Sequence, residues 1–358
     1  MELATYIDPN PKHAGIQAKL AEDLGFTTAW FGDLPMGFAD VYACMTLAAV
    51  NTTKIRLGTS IAAAPWRHPL TTASAIATIN TIAPGRTILG FGSGAFGRAL
   101  TGLPPLKIRE LRNQLQVIRG LLGDGEAMHE TDGKRVKVRF LNRELGSVNI
   151  DDPIPIYVAA SAPQVAALAG EFADGVITGG KFGELISFLL GQVREAARSA
   201  GRTANAFPCM SEIAVFVLRP GETLESSVVI ESLGGYVLVI LKMFADGLLP
   251  EQFLPDDLKS ICEAYRQFLL RKAPTPEERH LAIWEGCFTL SPDERRFVTP
   301  ELLKWAAIIG TREEVIDEIK ALEKSGVTQI AVAGAIVSKG AAAEQYFVRV
   351  AKELIGRV

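Results

Sequence analysis

Short apolar runs alternate along the chain with segments whose apolar residues recur at helical spacing. Leu3–Asp8 reads as a strand, and His13–Leu24 as a helix stopped by Gly25. Thr28–Gly32 is the next strand, ending at Asp33, and Val41–Val50 the next helix. Ile55–Ile61 and Leu70–Ile82 repeat the pair, with Pro84-Gly85 as the stop. Thr87–Phe91 runs into glycines and is followed by a long amphipathic helix, Leu106–Leu122. The strands are continuous apolar runs rather than alternating ones, as strands buried on both faces are.

The rhythm breaks over Asp124–Asp152, a polar stretch with Asp132-Gly133 as a hairpin turn signal. It resumes with strands at Ile154–Ala159, Gly175–Thr178 and Met210–Leu218 and helices at Pro163–Phe172 and Phe182–Ala200. A mostly helical stretch runs from Glu222 to about Trp305, before a last helix–strand–helix at Arg312–Lys324, Thr328–Ala333 and Ala341–Ile355. Eight strands, nearly all followed by helices, predict an α/β protein with a (β/α)8 TIM barrel, the doubly wound sheet being the competing arrangement. Such a barrel takes about 250 residues. Much of the rest of the 358 falls in two insertions, the hairpin at 124–152 and a helical lid or oligomer region at 222–305. The expectation is one barrel domain over 1–358.

Composition narrows the function. Apolar residues are 48% and charged residues 22%, a globular balance that excludes a mainly disordered chain. A net charge of −3 leaves no basic excess to neutralise phosphates, so no nucleic-acid partner is expected. The mean hydropathy of +0.19 predicts many buried elements. No window of about 18 apolar residues is free of a charge or turn signal, so no membrane span is expected. The most apolar stretch, Leu233–Leu241, reads as a buried helix or an interface. The first residues lack the shape of a signal peptide. The four cysteines (Cys44, Cys209, Cys262, Cys287) are scattered, which predicts reduced thiols in a cytoplasm. The four histidines lack metal-ligand spacing, so no metal site is expected.

In a barrel the chemistry sits at the C-terminal ends of the strands. These ends read Asp33, then Gly58-Thr59-Ser60-Ile61-Ala62, Gly90-Phe91-Gly92-Ser93-Gly94, Ala159-Ala160-Ser161-Ala162-Pro163 and Thr178-Gly179-Gly180-Lys181. Small residues let backbone amides approach a ligand, and amides at helix N-termini attract phosphate. Ser161 and Lys181, each just before a helix, form a candidate anion seat; the same residues also suit ordinary caps and tight turns. Asp33 is a candidate catalytic group or a turn cap. His68, in Pro65-Trp66-Arg67-His68-Pro69, is the second candidate catalytic group, lining either a pocket mouth or a surface loop. Gly92–Gly97 fits G-x-G-x-x-G, but Gly102, Pro104 and Pro105 argue against a helix there, and no acidic residue ends the next strand. No Ser-His-Asp set or carboxylate pair emerges from spacing. Few acid–base groups around a small-residue floor point to an enzyme whose cofactor carries the chemistry.

Several segments, in order, carry a resemblance: Ala21-Glu22-Asp23-Leu24-Gly25-Phe26 with Trp30 and Asp33; Thr53-Lys54-Ile55-Arg56-Leu57-Gly58; Leu89-Gly90-Phe91-Gly92-Ser93-Gly94; Ile154-Pro155-Ile156-Tyr157-Val158-Ala159-Ala160-Ser161; and Gly326-Val327-Thr328-Gln329. Over almost its whole length the chain resembles the luciferase-like flavin or deazaflavin oxidoreductases. The match is closest to the coenzyme F-420-dependent methylenetetrahydromethanopterin reductase-like branch. The resemblance implies a cis Ser60–Ile61 bond and, with Ala62, a bulge under the ring. It implies Gly92, Ser93 and Gly94 beside the cofactor and Asp33 in the pocket. It places the cofactor phosphate at Ala160, Ser161 and Ala162 and at Thr178, Gly179, Gly180 and Lys181. Leu34, Ala95, Phe96 and Ala62-Ala63-Ala64 stand where relatives carry polar groups. The resemblance thus implies hydride transfer between coenzyme F-420 and a small, more apolar substrate than a pterin. The alternatives are an FMN-dependent monooxygenase fed by a partner flavin reductase, and a non-catalytic flavin-binding barrel. The run Leu233–Leu241 predicts a homodimer.

Overall fold

The computed structural model describes residues 1–7, 9–131, 133–203, 207–273, 275–334 and 341–358. Asp8, expected to end the first strand, and Asp132, expected in the hairpin turn, lie outside the described residues. The first half of the chain runs β1 (Glu2–Ile7), α1 (Ala14–Leu24), β2 (Thr28–Phe31), α2 (Val41–Asn51), β3 (Arg56–Thr59), β4 (Ala62–Ala63), α3 (Pro69–Ile82), β5 (Thr87–Gly92), α4 (Ala95–Leu100) and α5 (Ile108–Gly123). A hairpin follows, β6 (Glu126–Thr131) and β7 (Lys134–Arg139), then β8 (Ile156–Ala159), α6 (Pro163–Phe172), β9 (Gly175–Gly179), α7 (Gly183–Ser199) and β10 (Cys209–Val217). The rest is α8 (Ser227–Ala245), α9 (Asp256–Leu270), α10 (Arg279–Trp284), α11 (Pro300–Ala306), β11 (Ala307–Gly310), α12 (Arg312–Lys324), β12 (Gln329–Val332) and α13 (Ala341–Leu354).

The chain divides into two compact units. Unit one holds Met1–Gly94, Leu106–Glu212 and Leu322–Ala331. Its strands close a parallel ring in the order β1, β2, β3, β5, β8, β9, β10, β12 and back to β1. This is the expected (β/α)8 TIM barrel with its surrounding helices. The ring is lined with fully buried strands; β2 and β5 expose none of their residues. Its interior is filled by large side chains seated over glycines. A Cβ at Gly58 would lie 2.3 Å from the Trp30 ring, and one at Gly175 would lie 2.6 Å from the Tyr157 ring. Trp30 also donates its indole N–H to Gln329 Oε1 at 2.8 Å, linking β2 to β12. The hairpin β6–β7 turns at Gly133, in the left-handed region that favours glycine (φ +71°), where the sequence placed the turn.

Unit two holds Ala95–Pro105, Ile213–Ala321 and Val332–Val358. It differs from the sequence expectation in two ways. A short helix, α4, does open at Ala95, where Gly102 and the prolines predicted loop. An extra strand, β11, pairs in parallel with the last four residues of β10. The apolar run Leu233–Leu241 belongs to the longer helix α8, and all of it but the half-buried Ile240 is buried within the protein's own packing, Leu233, Val237 and Leu241 completely. Of the two readings of this run, the structure shows the buried helix. By length and composition alone, α8 is the one helix among the described residues long enough and apolar enough to cross a membrane. In the structure, 67% of its apolar window is buried inside the protein. α8 also carries a buried lysine, Lys242, whose Nζ lies 3.5 Å from Glu294; Tyr265 donates to the same carboxylate at 2.7 Å. Phe96 meets Trp284 edge-on at 4.8 Å, so its ring is part of an aromatic cluster.

Candidate functional site

Each barrel strand ends in a turn, and in unit one the turns after β3, β5, β8 and β9 stand side by side. The first begins at Thr59, whose hydroxyl donates to Gly90 O at 2.6 Å, and Ser60 N–H donates to Phe31 O at 2.7 Å. The Ser60–Ile61 bond is cis, as the resemblance implies. Ala62 and Ala63 then return as β4, paired with Phe91 and Gly92. A Cβ at Gly92 would lie 2.5 Å from Ile61 Cδ1 and 3.2 Å from Ala159 Cβ. Gly92 therefore leaves the space Ile61 occupies, and the three strand ends meet there. Gly94 (φ +62°) packs against Ala63 and Pro65 in the same way, with Ser93 half-buried between the two glycines.

The second group adjoins the first through Ala159. Ala160 N–H donates to Ile177 O at 2.9 Å. Ser161 and Ala162 are exposed, and Pro163 opens α6, whose first turn leaves amides without helical partners. Thr178 is buried, its hydroxyl donating to Met210 O at 3.3 Å. Gly179 is exposed, and the nearest atom to a Cβ there would be 4.0 Å away. Gly180 (φ +76°) donates its N–H to Glu212 O at 2.8 Å, and Lys181 follows, half-buried. The structure thus brings Ser60, Ile61, Ala62, Gly92, Ser93, Gly94, Ala160, Ser161, Ala162, Thr178, Gly179, Gly180 and Lys181 to adjoining strand ends.

The two expected catalytic residues are engaged differently. Asp33 is nearly inaccessible; its carboxylate accepts from Ala63 N–H at 3.2 Å and forms an ion pair with Arg67. Burial pushes its carboxyl up, opposed by the Arg67 guanidinium. Arg67 also reaches Asp40 at 2.6 Å and lies 5.1 Å from the centre of the Tyr42 ring. His68 caps α3, its Nδ1 3.4 Å from Leu70 N, while its Nε2 lies 3.1 Å from His129 Nε2 on β6. Partial burial and His129 hold its ring below the usual histidine range. A depressed folded value means that the unfolded chain binds more protons at mildly acidic pH. The stability from this contact is therefore full above the ordinary histidine value and lost as pH falls through the folded one. Hydrogen exchange at β6 and β7 should accelerate beyond its intrinsic pH trend on acidification, and His129→Ala should remove that response.

Sequence reasoning missed three polar residues. Tyr6 of β1 is buried; its hydroxyl is hydrogen-bonded to Ser60 Oγ and donates to Glu212 Oε2 at 2.8 Å. Glu212 lies in the apolar run of β10, and a carboxylate in such a run was the available signal. Arg67 was visible only as part of the Trp66–His68 loop. In that loop the Trp66 indole N–H is buried without a partner among the described residues.

A parallel barrel whose strand ends gather small residues, exposed turn amides and a lysine, with few acid–base groups, suits an enzyme whose cofactor carries the chemistry. The chain belongs to the luciferase-like monooxygenase family, which it matches over residues 2–329. It is 30% identical to a 5,10-methylenetetrahydromethanopterin reductase of Archaeoglobus fulgidus over 88% of this chain and 87% of the relative. It is 38% identical to an F-420-dependent glucose-6-phosphate dehydrogenase of Mycolicibacterium fortuitum over 48% of this chain and 53% of that enzyme. The solved coenzyme F-420-dependent tetrahydromethanopterin reductase of Methanopyrus kandleri superposes with a TM-score of 0.71. It has 25% identity and covers 99% of both chains.

Proposed function

We propose that the protein is a coenzyme F-420-dependent oxidoreductase that exchanges a hydride with a small organic substrate. The observation that carries this reading is the cradle formed by Ile61, Gly92 and Ala159, continuous through β8 with the turns at Ser161 and Lys181. The residues fit such a group. Gly179 leaves the end of β9 open, Gly92 lets Ile61 seat against β5, and the unpartnered Trp66 N–H is a donor in the adjoining loop. Ser60, Ile61, Ala62, Gly92, Ser93 and Gly94 would hold the ring. Ala160, Ser161, Ala162, Thr178, Gly179, Gly180 and Lys181 would hold the phosphate. When bound, a deazaflavin supplies a ring carbon that accepts or gives the hydride.

Asp33 does not transfer protons in this reading; its carboxylate fixes Arg67 and the Ala63 amide behind the seat. His68 fixes the hairpin. The four cysteines form no disulfide bonds, which fits the cytoplasmic location we assign. The homodimer is kept as a proposal that light scattering decides, and it no longer rests on α8.

Purification from a host making both cofactors, followed by absorbance and titration, tests the reading. Tight FMN binding with no affinity for coenzyme F-420 would replace it with the monooxygenase. Lys181→Ala should weaken F-420 binding by about 10- to 100-fold, the worth of one charge-assisted hydrogen bond. Unchanged affinity would overturn the phosphate assignment.

A further inference from the structure

We propose that Glu212, acting through Tyr6, sets whether Ser60 offers a hydrogen or a lone pair to a ring seated on the 60–61 turn. The inference rests on the cofactor seat proposed above. Tyr6 of β1, Ser60 after β3 and Glu212 of β10 come from three separate strands of unit one, and the Tyr6 hydroxyl touches both partners. Tyr6 is 1% exposed, so water does not stand in for either.

Each hydroxyl has a single proton to donate, whereas an ionised carboxylate only accepts. With Glu212 ionised, the Tyr6 proton goes to the carboxylate. The Ser60 proton then points at the Tyr6 oxygen, and Ser60 presents only lone pairs outward. With Glu212 protonated, the carboxyl O–H donates to Tyr6 and Tyr6 donates to Ser60. The Ser60 proton then turns outward. One protonation reverses two O–H bonds without moving a heavy atom. It also makes a path: as Ser60 releases its proton outward, it takes the Tyr6 proton, and Tyr6 takes the one on Glu212. The carboxylate is left ionised until it is reprotonated from solvent.

Burial pushes the Glu212 carboxyl up from the usual range, and the bond from Tyr6 opposes this, so the two forms are divided by the very contact that transmits the change. The titratable group that meets Glu212 from β1 is Tyr6. On the β9 side, Gly179 is the residue in register with Glu212, and the nearest titratable residue along that segment is Lys181, two positions further on. β12 carries no titratable residue. Cys209 lies three positions earlier on β10 itself, its thiol pushed up by burial to about 11. Asp8, two residues beyond Tyr6, lies outside the described residues. Tyr6 and Glu212 act through Ser60 and are positioning residues.

Two measurements test the proposal. The first needs no cofactor: a carboxyl 13C NMR titration of glutamate-labelled protein, with Glu212 assigned from Glu212→Gln. Tyr6→Phe removes the bond that stabilises the ionised form, so the Glu212 midpoint should move upward. The second is the affinity for coenzyme F-420, and separately for FMN, from about pH 5 to about pH 9. Linkage to one proton changes Kd by up to about tenfold per pH unit. Wild type should show this slope near the Glu212 midpoint, together with a shift in the bound cofactor's absorption maximum. Glu212→Gln and Tyr6→Phe should each lose both while remaining folded. A wild-type slope retained in Glu212→Gln, or a Glu212 midpoint unmoved by Tyr6→Phe, would overturn the proposal. If neither cofactor binds wild type, the seat reading fails, and the NMR titration still judges the coupling.

Discussion

Gly90→Ala should yield little or no folded protein. Gly90 lies in the middle of β5, and a Cβ there would sit 1.9 Å from Thr59 O and 2.7 Å from Ile177 Cδ1. The first of these is backbone, and it is held: the Thr59 side chain donates to the Gly90 carbonyl at 2.6 Å, tying the two strands together at this level. β3 cannot retreat without breaking its pairing with β2, in which Thr59 is registered against Phe31. Overlaps of this kind place a substitution in the exceptional class, about 4 kcal/mol or more. Soluble yield and urea unfolding read the effect. Gly179→Ala is the contrast. Its Cβ would meet nothing closer than 4.0 Å, so stability should change by less than about 0.5 kcal/mol, the usual range for open surface positions. Any loss of cofactor affinity in that variant then reports crowding at the seat rather than misfolding.

Arg67→Ala should destabilise the protein by about 3 kcal/mol, because it leaves the Asp33 carboxylate buried without its counterion. The Asp33 side chain is 2% exposed and that of Arg67 17%. Among the described residues, the Ala63 amide alone remains to satisfy the acid. The pH dependence follows from the sign of the shift. Without Arg67, burial acts against the ionised form with less opposition, so the folded value of Asp33 rises further above the unfolded one. A raised carboxyl is least harmful below the unfolded value and most harmful once pH has passed the folded one. The deficit of the variant should therefore be smallest in acid and grow toward neutrality, as urea unfolding at several pH values would show. Replacing both partners, as in Asp33→Asn with Arg67→Met, should recover much of the loss, since neither charge is then stranded.

The barrel was legible because burial on both faces gives each strand an uninterrupted apolar run, as in Thr87–Phe91, and because glycine and proline mark the stops. The hairpin was legible from one dipeptide. β11 was not: Ala307–Gly310 is four residues long, directly follows α11 and is followed at once by α12, so nothing in its composition separates it from a helical stretch. The small-residue strand ends were visible as candidates because the barrel fixes where strand ends go. The polar groups beneath them were not, because Tyr6 meets Glu212 across 206 positions and Arg67 meets Asp33 across 34. Pairings over such separations leave no spacing to read. Buried helix and interface stayed open as readings of Leu233–Leu241 for a related reason. An apolar helix needs a partner, but the sequence does not say whether that partner belongs to the same chain.

The place of β12 in the ring has a consequence for how the protein is made. This strand lies between β1 and β10, and Gln329 reaches back to Glu2 at 2.8 Å and to Thr28 at 3.1 Å. A ribosome delivers β1 first and β12 last among the strands. During synthesis the β1 edge, a row of unpaired amides and carbonyls, stands open until residue 332 has emerged, and such edges invite pairing with other chains. Closure of the cylinder is thus a late event in translation, and the nascent chain needs shielding at its oldest strand.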